Sequence, residues 1–224
     1  MKKFSLLAVL ASATLTSLIY GQELAVTAEV VKNDPLITGC CFFYDLKDYE
    51  KAFKCWLESA ETGQVLAQFD LGLCYIYGYG VEKDINEAIK WLRLSADQGY
   101  APAQTVLGKC YAKGRGVPQD MNEAIGLYHK AAKRGSARAE YLLGLCFESG
   151  NGVQKNPKEA FNWYQKAALR GNLDAQYALG KCYYNGLGVK ENKEMALKWY
   201  RMAAEKGHKD AQDAIQEYGE ADSQ

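Results

Sequence analysis

The chain is poor in the groups on which hydrolysis, metal binding and nucleotide chemistry depend. Its 224 residues include two histidines, His129 and His208. It contains no H-E-x-x-H, no paired C-x-x-C, no P-loop and no S-x-x-K, the spacings that bring together two metal ligands, a phosphate cradle or an activated serine. No catalytic residue, cofactor site or metal site is assigned. Net charge is missing too, since 27 Lys and Arg face 27 Asp and Glu. With no summed field to steer the protein onto phosphate backbones, nucleic acid is not an expected partner.

Long apolar runs are absent apart from one at the start, where "MKKFSLLAVLASATLTSLIYGQ" sets two lysines before a mostly apolar stretch from Phe4 to Ile19. That order reads as a secretory leader over residues 1–21, with cleavage after Gly21 or after Ala28. The run is short for spanning and is broken by Ser and Thr, so no membrane span is expected once the leader is removed. An exported protein, periplasmic or secreted, is the expectation. No cysteine follows the run closely, which argues against a lipid-modified start.

What is present is repetition. "LGLCYIYGYGV" at 71–81 returns as "LGKCYAKGRGV" at 107–117, "LGLCFESGNGV" at 143–153 and "LGKCYYNGLGV" at 179–189, 36 residues apart each time. Recurrence at such a period is the mark of stacked supersecondary units. Full units are assigned to residues 67–102, 103–138, 139–174 and 175–210. A shorter first unit covers 34–66, and a capping helix and tail cover 211–224.

Each unit reads as two helices and two turns, and nothing after the leader calls for a strand. The first helix is expected to start at Ala67, Ala103, Ala139 or Ala175 and to end at Gly78, Gly114, Gly150 or Gly186, where glycine closes a helix in the left-handed region. The second begins at Asp84, Asp120, Asn156 or Asn192. Glu87 and Glu123, three residues on, suggest capping boxes, and Pro157 suits a first helical position. It ends before Gly99, Gly135, Gly171 or Gly207. The G-x-G is thus a loop between helices, not the strand-to-helix turn of a dinucleotide fingerprint.

These residues resemble a known family. A-x-x-x-L-G-x-x-Y-x-x-G-x-G-V, then D or N, E-A and A-A-x-x-G, is similar to the Sel-one-like repeats, longer-loop relatives of tetratricopeptide repeats. The resemblance covers 67–210 fully and 34–66 in part. It implies an all-α, right-handed superhelical solenoid of antiparallel hairpins that usually serves as a protein-binding scaffold. Two departures are the first unit's missing G-x-G-V loop and Met195, which stands where the other full units carry glutamate.

At 100° per residue, positions 1, 5, 8, 9 and 12 of the first helix share a face: Ala67, Leu71, Cys74, Tyr75 and Gly78 in one unit. Alanine and glycine there permit close helix contact. Cys74, Cys110, Cys146 and Cys182, with Cys41 equivalent in the short unit, should be buried and chemically quiet. Stacked helices lie roughly 8–10 Å apart whereas bridged Cα atoms lie within about 7 Å, so these cysteines should not pair with one another. Cys40 and Cys55 fall outside the register, and a bridge from Cys55 to Cys40 or Cys41 would clip the shortest hairpin. Trp91, Trp163 and Trp199 recur at one position of the second helix and are assigned to hairpin packing.

Positions 3, 7 and 10 lie opposite the buried stripe. By the resemblance, first helices line the concave side, so the expected partner-binding residues are Phe69, Leu73, Ile76, Lys109, Tyr141, Leu145, Tyr177, Lys181 and Tyr184. Apolar groups give way along the chain to tyrosines with Lys109 and Lys181, a composition typical of interface anchors. An extended peptide or a partner's helix is the expected ligand. A tightly wound superhelix would instead bury these aromatics against its own neighbours. Two other functions stay open: a cell-wall glycan binder using the tyrosines as sugar platforms, and a β-lactam-binding or -hydrolysing protein, a label borne by some secreted cysteine-rich relatives. Those relatives place their cysteine pairs between one hairpin and the next, where this sequence mostly has alanine, so their bridging does not carry over. His129 shares its position with Arg93, Gln165 and Arg201, His208 follows a helix-stop glycine, and neither is expected to have a fixed partner.

Overall fold

The computed structural model describes residues 34–221, with the side chains at 41, 45 and 218–221 outside the described set. The leader expected over residues 1–21 lies outside it. Every regular element among the described residues is helical. The chain divides into two units, one ending at Gln98 and the other beginning at Gly99.

The first unit contains α1 (Pro35–Cys40), which runs into a π-helical turn (Cys41–Leu46), then α2 (Tyr49–Glu61), α3 (Val65–Tyr77) and α4 (Ile85–Asp97). The second contains α5 (Ala101–Lys113), α6 (Met121–Lys133), α7 (Ala137–Ser149), α8 (Pro157–Leu169), α9 (Leu173–Asn185), α10 (Lys193–Ala204) and α11 (Lys209–Ala221). Within each unit every helix packs on the next along the chain, as a stack of hairpins requires.

The first helices begin two residues earlier than expected, at Val65, Ala101, Ala137 and Leu173. Their N-caps show why in two cases: Ser136 Oγ accepts from the Ala139 amide at 3.3 Å and Asn172 Oδ1 from the Ala175 amide at 2.8 Å. Each cap satisfies an amide that the first turn leaves open. The recurring alanine is the third residue of the helix, and what it marks is burial: Ala67, Ala103, Ala139 and Ala175 are fully enclosed.

The second helices start where the sequence places them. Asp84 Oδ1 accepts from the amides of Asn86 (2.8 Å) and Glu87 (3.1 Å), and Asp120 and Asn156 repeat the pattern. The expected capping box is formed only in half. The amide of the capping residue donates not to the glutamate but back across the loop, from Asp84 to the Tyr75 carbonyl (3.1 Å), Asp120 to Tyr111 (3.0 Å), Asn156 to Phe147 (2.8 Å) and Asn192 to Tyr183 (2.8 Å). That bond fixes the loop between the two helices of a hairpin. It also explains how Met195 replaces glutamate at no cost to the cap.

Hairpins close on a glycine that differs from the one assigned to close contact. Gly78 is the left-handed cap of α3, with φ +78°. The tight approach is at Gly72, Gly108, Gly144 and Gly180, each covered by a large side chain from the second helix: Leu92, Tyr128, Tyr164 and Tyr200. A Cβ on Gly108 would stand 2.6 Å from Tyr128 Cε1 and one on Gly180 2.5 Å from Tyr200 Cε1, inside van der Waals contact. The short first hairpin makes the same joint with Gly39 under Trp56. The tryptophans assigned to hairpin packing sit one residue before this joint. Trp163 joins the cluster built from α6 and α7, and Trp199 that from α8 and α9, so both bind a hairpin to the one before it.

The second glycine of the G-x-G serves this same union between repeats. A Cβ on Gly80 would collide with the Tyr49 carbonyl, and one on Gly188 with the Pro157 carbonyl. Loop backbone therefore lies directly on the first turn of the preceding second helix. Both glycines also have positive φ, +69° and +73°, where a side chain is strained in addition to the clash.

Candidate interaction surface

Cys74, Cys110, Cys146 and Cys182 are free and buried. Burial pushes all four thiols above their ordinary range, Cys74 and Cys182 to about 12, so thiolate is suppressed and nucleophilic chemistry with it. Cys41, the fifth cysteine of the series, has no described side chain. Cys55, outside the register, carries a free thiol. At that level of α2 the residue turned onto α1 is Trp56, and Cys55, one residue earlier, is rotated by about 100°.

The histidines do have fixed partners, contrary to expectation. His129 is half-buried and meets the Trp163 ring edge-on at 5.5 Å. Burial, then Lys133 and Lys166, hold its imidazole below the ordinary value. His208 accepts from the Ala211 amide through Nδ1 at 3.3 Å, places Nε2 3.5 Å from Asp174 Oδ1 and stacks on Tyr177 with centroids 5.0 Å apart. A histidine beside an aspartate has the look of a catalytic pair, but one nitrogen caps α11 and the other faces the aspartate. Neither is left to relay a proton to a nucleophile. Among the described residues no three His, Cys, Asp or Glu gather as metal ligands, and no helix is long and apolar enough to cross a membrane.

A row of polar side chains, buried at Gln68 and Gln176 and exposed at Gln212, escaped the sequence reading. Gln68 donates to the Ala60 carbonyl (3.3 Å), Gln176 to Ala168 (3.2 Å) and Gln212 to Ala204 (3.2 Å). In each case a first helix is tied to the end of the preceding second helix. Glu140 occupies the equivalent place and is almost completely buried; Arg170 Nε donates to its Oε1 at 3.2 Å. The signal was the residue after each recurring alanine, which is Gln in all full repeats but this one.

The expected partner-binding residues divide by unit. In the first, Phe69, Leu73 and Ile76 are half-buried. In the second, Lys181 is exposed, Leu145 is 37% exposed, and Lys109, Tyr141, Tyr177 and Tyr184 are half-buried. The tyrosines lean on the residues that close the hairpins: Tyr141 lies 5.8 Å from Tyr164 and Tyr177 5.6 Å from Tyr200. Part of each ring is therefore occupied by the protein's own packing, and more of Tyr177, which His208 also covers.

Cations decorate these tyrosines. Arg138 stands over Tyr141 at 5.4 Å, Lys181 over Tyr177 at 5.9 Å and Lys193 over Tyr184 at 5.9 Å, within the reach of a cation–π attraction. Arg138 also pairs with Asp174 of the next first helix. Lys109 is held below its usual value, by burial first and then by Arg138, Lys113 and Arg115. A shallow hollow of about 870 Å³ in the first unit, lined by Leu46, Asp48, Tyr49, Glu82 and neighbours, includes none of the expected contact residues.

Consecutive hairpins, glycine joints and 36-residue spacing coincide with a family model, the Sel1 repeat, which matches residues 38–63, 65–100, 101–136, 137–172 and 173–208. The chain belongs to the Sel1 repeat family. A Sel1 repeat protein from Oxalobacter formigenes is 36% identical, with 92% of this chain and 88% of that one covered and a TM-score of 0.79. The protein c5321, a protective antigen of uropathogenic Escherichia coli with an SLR fold, is 27% identical over 98% of this chain, which spans 53% of its length, at a TM-score of 0.76. A Sel1 repeat protein from Klebsiella pneumoniae subsp. pneumoniae, 21% identical over 82% of this chain and 90% of its own, shares the fold at a TM-score of 0.54. No curated protein matches the sequence. Sel1 repeat proteins are generally protein-interaction scaffolds and mostly lack enzymatic activity, in keeping with thiols and histidines that are committed to packing here.

Proposed function

We propose that the protein is an exported scaffold that holds a peptide or partner protein along the face of its first helices. Tyr141, Leu145, Tyr177, Lys181 and Tyr184 with Lys109 form the main contact set, and Phe69, Leu73 and Ile76 add an apolar set in the first unit. The observation that carries this is the row of half-buried tyrosines under cations on α7 and α9. Rings already immobilised by the protein's own packing lose little entropy when a ligand covers what stays exposed, which is what makes an aromatic anchor effective. Export rests on the lysine-led apolar run at the start of the chain, and the protective-antigen relative from E. coli is in keeping with it.

The test begins with a partner recovered by affinity capture, then purified and titrated. Tyr177→Ala with Tyr184→Ala should weaken binding at least tenfold, about 1.4 kcal/mol, with unchanged helical circular dichroism. Because Tyr177 also stacks on His208, Lys181→Glu serves as a second variant that leaves the core untouched and should lose affinity as well. Full affinity in both would place the contact elsewhere. Export is tested by N-terminal sequencing of protein from the extracytoplasmic fraction. A start at Gln22 or Glu29 is expected, and recovery only inside the cell with Met1 in place would remove the leader.

A further inference from the structure

The neutrality of the whole sequence conceals an uneven distribution. Residues 34–98 hold 11 acidic and 6 basic side chains, a net of −5, whereas 99–221 hold 13 acidic and 18 basic, a net of +5. Part of that excess gathers where α5, the turn that follows it and α7 present Lys109 and Lys113, Arg115, and Arg138. Lys109 and Lys113 are one helical turn apart on α5, a like-charge spacing that disfavours the helix. Among the described residues, Lys109, Lys113 and Arg115 make no ion pair with a carboxylate. The acids close by are already engaged: Asp174 is bound by Arg138, and Glu148 accepts from the Tyr164 hydroxyl.

We infer that this corner of the first-helix face receives the carboxylates of an acidic, extended segment of a partner protein. Lys109 is the central contact, since a half-buried ammonium meets an incoming carboxylate with less water between them than an exposed one would. Arg138 is the oriented contact. Asp174 and the Tyr141 ring hold its guanidinium in place while occupying only part of its five donors. Lys113 and Arg115 widen the positive field, so acidic side chains along an extended chain find a cation near each. The inference rests on the first-helix face being the binding surface, and it adds the sign of the ligand.

The test uses the full chain and fluorescein-capped, amidated ten-residue peptides that alternate alanine with glutamate, glutamine or lysine, read by anisotropy at low and high salt. The glutamate peptide should bind at least tenfold more tightly than the other two, with the difference falling as salt rises. Lys109→Gln should remove most of that preference and Arg138→Gln a smaller part, whereas Lys133→Gln and Lys166→Gln on the second helices should leave it intact. Lys109 has no ion pair to lose, so its variant should melt no lower than the parent. Equal binding of the glutamate and glutamine peptides would overturn the inference, as would equal losses from Lys133→Gln, or displacement by heparin with the Lys109→Gln variant displaced equally. If the peptide preference fails while Tyr177→Ala and Lys181→Glu still weaken an authentic partner, the acidic ligand falls and the face stands. Loss of neither would remove both.

Discussion

The first and second units build the same hairpin with different materials. In the second unit the hairpin glycines lie under tyrosine rings, the faces of α7 and α9 carry tyrosines beneath cations, and net charge is positive. In the first unit the joints use Trp56 and Leu92, the matching face carries Phe69, Leu73 and Ile76, and net charge is negative. Repetition thus fixes the backbone, and the few positions free of the joint set the chemistry of each unit. One half-buried position shows this sharply. Asp70 on α3 stands where the second unit has Val106, Leu142 and Ala178, and burial raises its carboxyl to about 7. Its neighbours Cys74 and Tyr44 are pushed upward in part by it.

The largest effect should come from the contact that both units share. Gly80→Ala and Gly188→Ala each drive a Cβ into the carbonyl of the preceding helix at positive φ and should cost about 3 kcal/mol or more, read by chemical denaturation. Tolerance at either site would mean that the loop is not the union between repeats.

Asp70→Leu should break the difference between units. In the native state the carboxyl keeps a proton that the unfolded chain loses near pH 4, so stability falls as pH rises from about 4 to 7 and stays low above that. The leucine variant should be more stable than the parent by about 2 kcal/mol at pH 8, and its advantage should shrink toward pH 5. Urea denaturation at the two pH values measures this, and an advantage independent of pH would sink it. In the second unit, Tyr164→Phe removes the hydroxyl bound to Glu148 and should cost about 1 kcal/mol, with the ring left on Gly144. Smallest is Lys109→Gln, expected to stabilise by about 0.5 kcal/mol by relieving like charge along α5. A melting temperature lower than the parent's would show that Lys109 has an internal partner.

Much of the fold was legible because its signals are local. Aspartate or asparagine before an apolar run, and glycine after one, act through bonds within four residues, so the caps at Asp84 and Gly78 could be read directly. The joints at Gly72 and Gly144 could not. A glycine inside a helix says only that something is close, and what lies there is a side chain about 20 residues away. His208 was misjudged for a similar reason: its neighbours in sequence gave no hint of Asp174 or Tyr177, which reach it from the preceding first helix. The Gln68, Gln176 and Gln212 row was visible as a pattern, yet its bonds end on carbonyls eight residues back across a turn.

By itself the sequence determined the repeat period, the helical class, the caps and the burial of Cys74, Cys110, Cys146 and Cys182, because each follows from backbone geometry repeated along one chain. Only the tertiary structure decided which glycine bears the neighbouring ring, which tyrosine faces are already covered, and which cations at the second unit's surface have their charge answered. Those depend on side chains meeting across helices, where a rotation of one residue changes every neighbour.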